Sequence, residues 1–249
     1  NLNRTESNAE DHGQSPQDVV NDFAAEGWKA SIKLWDNFRT SLVSEFSIGD
    51  LSDGYIVSNV LDPQTLIRVS YPKFRSLWGT YVSYKLGIWD TASSSYNSER
   101  LVVINVPVLK THSIYGVTGA VKNHMGVITQ SLSTYSHNGV SRGGLGSVIA
   151  EVRVPDLTVL DCIWVLARPG YGPSASYTQS SRRDQLLAGF DPVALDAWAV
   201  KNILVPQISA NGYAPGTYPA QDPDNPASTF RLYLDRSMNE MLAAQIPST

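Results

Sequence analysis

Apolar residues recur at helical spacing in the first part of the chain. Ser15-Pro16 has the form of a helix start, with Ser as N-cap and Pro at the first helical position. The pattern continues to Phe46 and predicts a long helix, which Gly27 divides in two. Short apolar runs between residues 55 and 69 predict strand or loop, and residues 72–86 return to helical spacing.

Two later apolar runs predict strands that are buried on both faces, Leu101–Val106 and Leu157–Val165. A third, short strand is predicted at Gln185–Gly189, and Asp191-Pro192 opens a helix that runs through Leu204. Strands that alternate with helices indicate an α/β fold. We expect a mixed, mostly parallel sheet flanked by helices, with Rossmann-like layering.

The pattern also predicts the domain organisation. Residues 1–14 are polar and form a predicted flexible tail, and residues 15–249 form a predicted single α/β domain whose motif core spans 101–205. Four of the 14 prolines lie in residues 211–227, which predicts a long irregular loop. An amphipathic helix is predicted at residues 230–246.

Composition narrows the functional classes. A net charge of −4 argues against a general nucleic-acid binder. No apolar stretch reaches the roughly 18 residues of a transmembrane helix, so no membrane span is expected. One cysteine cannot hold an iron–sulfur cluster, and the cofactor, if any, stays unknown. Charged residues make up only 17% and the chain opens without Met, so we expect a processed, secreted or extracytoplasmic protein.

The segment from Val106 to Val127 concentrates two lysines and two histidines directly after a predicted strand. In open α/β sheets, ligands bind at the carboxyl ends of strands. Lys110 and His112 point to one side of an extended segment and are the candidate catalytic residues. Candidate ligand-binding residues in the same segment are Thr118, Lys122, Asn123 and His124. Lys122 and the free N–H groups of a helix beginning near it would favour an anion.

The alternative for this segment is that its polar side chains satisfy the backbone groups of a buried turn. Asp161 and Asp196 are two further candidate ligand-binding residues, because each carboxylate lies among apolar neighbours and needs a partner. Asp161 could instead pair with a lysine, and Asp196 could pair with a buried cation or bond a loop. A metal on His112, His124 and Asp161 is a third interpretation, but their spacing fixes no geometry, and we expect no metal.

These residues resemble a known family. The run NVPVLKTHSIYGVTGAVKNHMGV resembles the core motif of the DUF362 family, a domain of unknown function. VPDLTVLDCIWVL, followed by Gly170–Pro173, is similar to the family's strand and Gly-Pro turn, and LLAGFDPVALDAWAV to its next strand and helix. The resemblance covers roughly residues 55–205. It implies an α/β domain, often paired with a ferredoxin-like iron–sulfur module, and no established reaction.

Two features depart from that family pattern. Members usually carry an N-terminal α/β segment with a Lys-Pro-Asn-like loop, and neither this segment nor a cysteine-rich cluster is found here. Two functional hypotheses follow. In the first, an exported protein of uncertain activity binds a small anionic ligand after strand 101–106. In the second, a non-catalytic extracellular structural or self-assembling subunit retains the fold.

Overall fold

The computed structural model describes residues 15–32, 41–46, 52–129, 138–172 and 179–249. Five α-helices lie in this part of the chain: α1 Pro16–Ala25, α2 Gly144–Glu151, α3 Pro192–Ala199, α4 Val205–Ala210 and α5 Thr229–Ala243. Ten strands accompany them: β1 Gly54–Val57, β2 Ser70–Arg75, β3 Tyr81–Ser83, β4 Gly87–Asp90, β5 Ser95–Asn97, β6 Ile104–Asn105, β7 Val108–His112, β8 Gly116–Thr118, β9 Leu157–Leu166 and β10 Ser181–Gly189. Shorter helical turns are Ser98–Arg100, Lys122–Gly126, Val140–Arg142 and the π-helical turn Val200–Leu204.

The N-terminal helix is shorter than its apolar pattern predicts. Helix α1 begins at the predicted cap, where Ser15 and Asp18 form a reciprocal capping box. It ends before Gly27, whose positive φ of 89° suits glycine. Residues 41–46 are not helical, because Val43 N–H donates to the carbonyl of Tyr55 in β1. The predicted tail at 1–14 and residues 33–40 lie outside the described residues.

Strands β1 to β5 form an antiparallel sheet in chain order. The prediction of strand and loop for residues 55–69 is confirmed. The prediction of a helix at 72–86 is wrong, since this segment forms the β2–β3 hairpin in which Phe74 lies opposite Val82. Gly79 takes a positive φ of 80° in the connecting turn. Short apolar runs fit either element, and the pairing of distant strands decides between them.

The second sheet has the order β10-β9-β7-β8, and β6 also pairs with β9. Strand β9 is parallel to β6 and β7, whereas β9–β10 and β7–β8 are antiparallel. The α/β class is confirmed, but the mostly parallel, Rossmann-like layering is a wrong prediction. The physical reason is local: the short turn after β7 allows only an antiparallel neighbour.

The first apolar run of the motif region also differs from its prediction. Only Ile104–Asn105 form a strand there, and the Ile104 side chain is 54% exposed rather than buried. Pro107 follows and offers no N–H, but its carbonyl accepts from Asp161 N–H at 2.8 Å. The segment is therefore a short strand, a proline break and then β7.

The C-terminal predictions hold more closely. Strand β9 matches its prediction, and β10 is longer than the predicted Gln185–Gly189. Asp191 caps α3 by accepting from Val193 and Ala194 N–H. Residues 211–227 are irregular, as predicted, and α5 ends three residues earlier than expected.

One face of the mixed sheet carries the core. Leu109 of β7 and Leu160 of β9 pack there with side chains of α2 and α5, and Ile67 before β2 joins the same cluster. No helix in the described part of the chain is long and apolar enough to cross a membrane. The other face of the sheet presents Lys110 and its neighbours.

Candidate functional site

Strands β7 and β8 position the first part of the candidate site. Leu109 and Thr111 are fully buried, so the alternation of β7 turns Lys110 and His112 to the opposite face. The register places Lys110 opposite Thr118. Directly opposite residues share a face at roughly 5 Å between their Cβ atoms, so these two side chains are neighbours.

Lys122 completes a cluster of like charge. Its side chain is only 8% exposed, and its Nζ lies 5.4 Å from the centroid of the Tyr115 ring. Burial, followed by the charge of Lys110, lowers the pKa of Lys122 to about 8. Burial also lowers the pKa of Lys110.

Neither lysine is neutralised within the described part of the chain. The salt bridges of that part are formed by other residues, and no hydrogen bond links Lys110 or Lys122 to Asp161 or Asp196. The Thr118 hydroxyl beside them is buried and has no hydrogen-bond partner among the described residues. The three side chains therefore leave a positively charged site with an unused polar group.

His112 is held in one orientation by the turn that follows it. Its Nδ1 accepts hydrogen bonds from the backbone N–H groups of Ile114 at 3.1 Å and Tyr115 at 3.2 Å. An accepting Nδ1 assigns the proton of the neutral ring to Nε2. The ring centroids of His112 and Tyr115 are 5.3 Å apart, so Tyr115 contacts both His112 and Lys122.

Asp196 acts on the backbone of the motif. Its fully buried carboxylate accepts from Ala120 N–H at 2.6 Å and from Val121 N–H at 2.9 Å. Burial raises the pKa of Asp196 to about 7, although these two hydrogen bonds oppose the shift. A Cβ on Gly119 would collide with this carboxylate. Asp196 therefore bonds a loop, which was one of its predicted alternatives, and these two amides are not offered to an anion.

His124 is also engaged by the backbone. Its Nδ1 lies 3.2 Å from the Ala120 carbonyl and 3.3 Å from the Val121 carbonyl. Because carbonyls only accept, Nδ1 carries the proton. Burial lowers the pKa of His124 to about 4, so the ring is neutral near pH 7. This geometry supports a structural role for His124.

Asn123 faces a separate cleft. Its amide donates to Asn105 Oδ1 at 2.7 Å, and Asn105 in turn donates to the Ala120 carbonyl. Both residues and His124 line a cleft of about 250 Å³, which Lys110 and Lys122 do not line. The Asn123 amide is thus engaged by Asn105, at a cleft that the two lysines do not line.

Asp161 is likewise apart from the lysines. It lies opposite Val108, and its Oδ1 accepts from Ile163 N–H at 2.8 Å. The predicted alternative of a lysine salt bridge is not seen for it within the described residues. Nor do three or more His, Cys, Asp or Glu side chains come together there in a metal-binding group. The interpretation of a metal on His112, His124 and Asp161 therefore has no geometric support.

Comparisons with known proteins agree with the motifs. Residues 81–201 match the family model of a domain of unknown function, DUF362. This segment belongs to the DUF362 family. A thylakoid-associated protein of Synechocystis sp. is 32% identical in a 115-residue alignment that covers 41% of this chain and 35% of that protein. The chain thus matches about a third of that relative's length, and no solved structure matches it.

The DUF362 segment contains all the candidate residues, and it also contains two that were not recognised from the sequence, Tyr115 and Asn105. Tyr115 contacts both His112 and Lys122, and an aromatic residue between two motif positions was the available signal. Asn105 was missed as well, although an amide inside the apolar run 101–106 was visible. Both were overlooked because their contacts are made across strands and turns.

Proposed function

We propose that the protein binds a small molecule with carboxylate or phosphate groups at Lys110, Thr118 and Lys122. The supporting observation is the pair of neighbouring lysines, Lys122 buried and Lys110 half-buried, with no carboxylate partner among the described residues. An anion with two negative charges would offset their repulsion and accept charge-assisted hydrogen bonds. The Thr118 hydroxyl would supply a further hydrogen bond.

His112 is the proposed proton-transfer residue of this site. It lies on the same side of β7 as Lys110, and the turn fixes its ring. In our proposal, any reaction of the bound molecule requires proton transfer by His112. The secreted or extracytoplasmic location stays a prediction.

Calorimetric titration with inorganic phosphate and with oxalate tests the anion site. We expect saturable binding of at least one probe, weakened at least ~10-fold in Lys110→Gln and in Lys122→Gln, because each variant removes one charge-assisted hydrogen bond. Binding should weaken as the pH rises through about 8, where Lys122 loses its proton.

Lys201→Gln is the matched control for these titrations. Lys201 is an exposed lysine whose Nζ pairs with Asp224 at 2.8 Å, away from the site. Its variant should bind like the wild type. The proposal fails if neither probe binds, or if all three variants weaken binding equally.

A second candidate function is that of a self-assembling subunit. The face of the mixed sheet opposite the core carries the apolar residues Ile104, Val108 and Leu186, which are largely exposed. Val108 and Leu186 flank Asp161 in one row across three strands. We propose that a second copy of the chain covers this row, because in a two-fold dimer the apolar row of one copy packs against the same row of the other.

A further inference from the structure

The amine of Lys122 has unusual chemistry for a lysine. An ordinary lysine is almost entirely protonated at pH 8, whereas a lysine with a pKa near 8 is about half neutral there. Burial is the larger cause of this shift, and the nearby Lys110 cation is the second. The Tyr115 ring favours the protonated form, but its contact at 5.4 Å does not outweigh burial.

Other lysines of the described chain lack this combination. Lys201 is exposed and paired with Asp224. Lys73 is buried and has an interaction partner. Lys110 is half-buried, and burial alone lowers its pKa. A desolvated lysine next to a second cation is an activated nucleophile.

We propose that Lys122 Nζ condenses with the carbonyl group of a 2-oxo acid whose carboxylate is held by Lys110 and Thr118. The inference rests on the proposed anion site, because Lys110 and Thr118 must orient the acid. The β7–β8 register brings Lys110 and Thr118 side by side, and the charge of Lys110 reaches Lys122. A carboxylate held there presents its neighbouring carbonyl carbon toward the third group of the cluster.

The condensation balances without an oxidant or a metal. The lone pair of the neutral amine forms a bond to the carbonyl carbon, and one amine proton moves to the oxygen to give a carbinolamine. A second proton, taken from solvent, converts the hydroxyl into water, which leaves as the C–O bond breaks. The product is a protonated imine that keeps the second amine proton on nitrogen.

Reductive trapping with pyruvate and sodium cyanoborohydride tests this step. We expect one adduct per chain on the intact mass, which peptide mapping assigns to Lys122. Lys122→Arg keeps the charge but removes the nucleophile, so its adduct should disappear. Lys110→Gln should slow trapping at pH 7 at least ~10-fold, because it removes the carboxylate contact and the repulsion that lowers the Lys122 pKa. Lys201→Arg should trap like the wild type.

The outcomes separate this inference from the anion site. Oxalate binding with no adduct in the wild type overturns the imine step and leaves the anion site standing. Absence of both binding and adduct overturns both. Adducts spread over exposed lysines, unchanged in Lys122→Arg, also overturn the inference. The mapping on the wild-type chain decides the matter even if Lys122→Arg does not fold.

Discussion

Burial shifts the pKa values of two groups, His124 and Asp196, in opposite directions. Burial lowers the pKa of His124 from 6.5 to about 4. As the pH falls from about 6.5 to 4, the unfolded chain therefore binds this proton before the folded chain does, and the free energy of unfolding decreases. Burial raises the pKa of Asp196 from 3.8 to about 7, so its contribution falls as the pH rises from about 4 to 7. Over this range the two contributions oppose each other in the wild-type protein.

Replacing one of the two groups should leave the effect of the other on the pH dependence of stability unopposed. We expect the free energy of unfolding of Asp196→Asn, relative to wild type, to increase between pH 4.5 and pH 7 by roughly 2 kcal/mol. His124→Asn should show a decrease of similar size over the same interval. Urea unfolding at the two pH values measures both, with the wild type as the reference for all other titrating groups. Parallel slopes in the two variants would contradict the opposed titrations.

The same residues show what the local sequence could not give. A carboxylate among apolar neighbours indicated that Asp196 needs a partner, and bonding a loop was one alternative. Its partners, Ala120 and Val121, lie 76 and 75 residues away, so only the folded chain identifies them. Likewise, no sequence spacing could show that Lys122 is buried, or that it lies close enough to Lys110 for that charge to lower its pKa further.

Among the elements, helices α2 and α5 meet at a glycine contact. A Cβ on Gly146 would lie 2.5 Å from Ser237 Cα and would also meet the Ser237 backbone. Gly146 is buried in α2, and its φ is not positive, so only space and not backbone strain excludes a larger residue. The close approach lets α5 cover the core beside β8, where the Tyr233 hydroxyl donates to the Val117 carbonyl at 3.2 Å.

Gly146→Ala should therefore separate the two helices and lower the free energy of unfolding by about 2 kcal/mol or more. Chemical denaturation measures the effect. Gly189→Ala is the matched control, because its Cβ would meet only Leu195 Cδ1 at an ordinary 3.6 Å. Equal stability of the two variants would show that α2 and α5 are not tightly packed at this contact.

Among the helices and strands, the sequence correctly predicted the features that carry strong local signals. The caps at Ser15 and Asp191 and the long apolar run of β9 were recognised correctly. The segment 72–86 was predicted as a helix because the spacing of its apolar residues fits one. In the structure, β2 pairs with both β1 and β3, and this pairing makes the segment a hairpin. Pairing between distant segments is a tertiary effect that overrides short local patterns.

At the scale of the whole molecule, the exposed outer face of the mixed sheet is the surface on which we expect self-association. Leu186 is 61% and Ile104 is 54% exposed on that face, whereas the other face packs against helices. We expect light scattering coupled to size exclusion to show a dimer at high micromolar concentration, because an apolar row of this kind gains stability when a second copy covers it. Leu186→Thr and Ile104→Thr should shift the protein to a monomer.

Leu77→Thr is the control for this measurement. Leu77 is 84% exposed in the turn between β2 and β3, so it undergoes the same type of change at a distance from the sheet face. The control variant should remain a dimer. A wild-type protein that is monomeric at every concentration would rule out the assembly role.

The sequence by itself determined the family segment, the α/β class and the candidate site residues, because these depend on local spacing and composition. The tertiary structure alone decided the mixed strand order and the hydrogen bond that engages the Asn123 amide with Asn105. It also brought Lys110 beside Thr118 and within reach of the charge of Lys122, with no carboxylate partner for either lysine in the part of the chain that the structure describes. The physical reason is that burial and charge proximity arise between segments far apart in the chain, and they decide which of the polar motif residues stay available to a ligand.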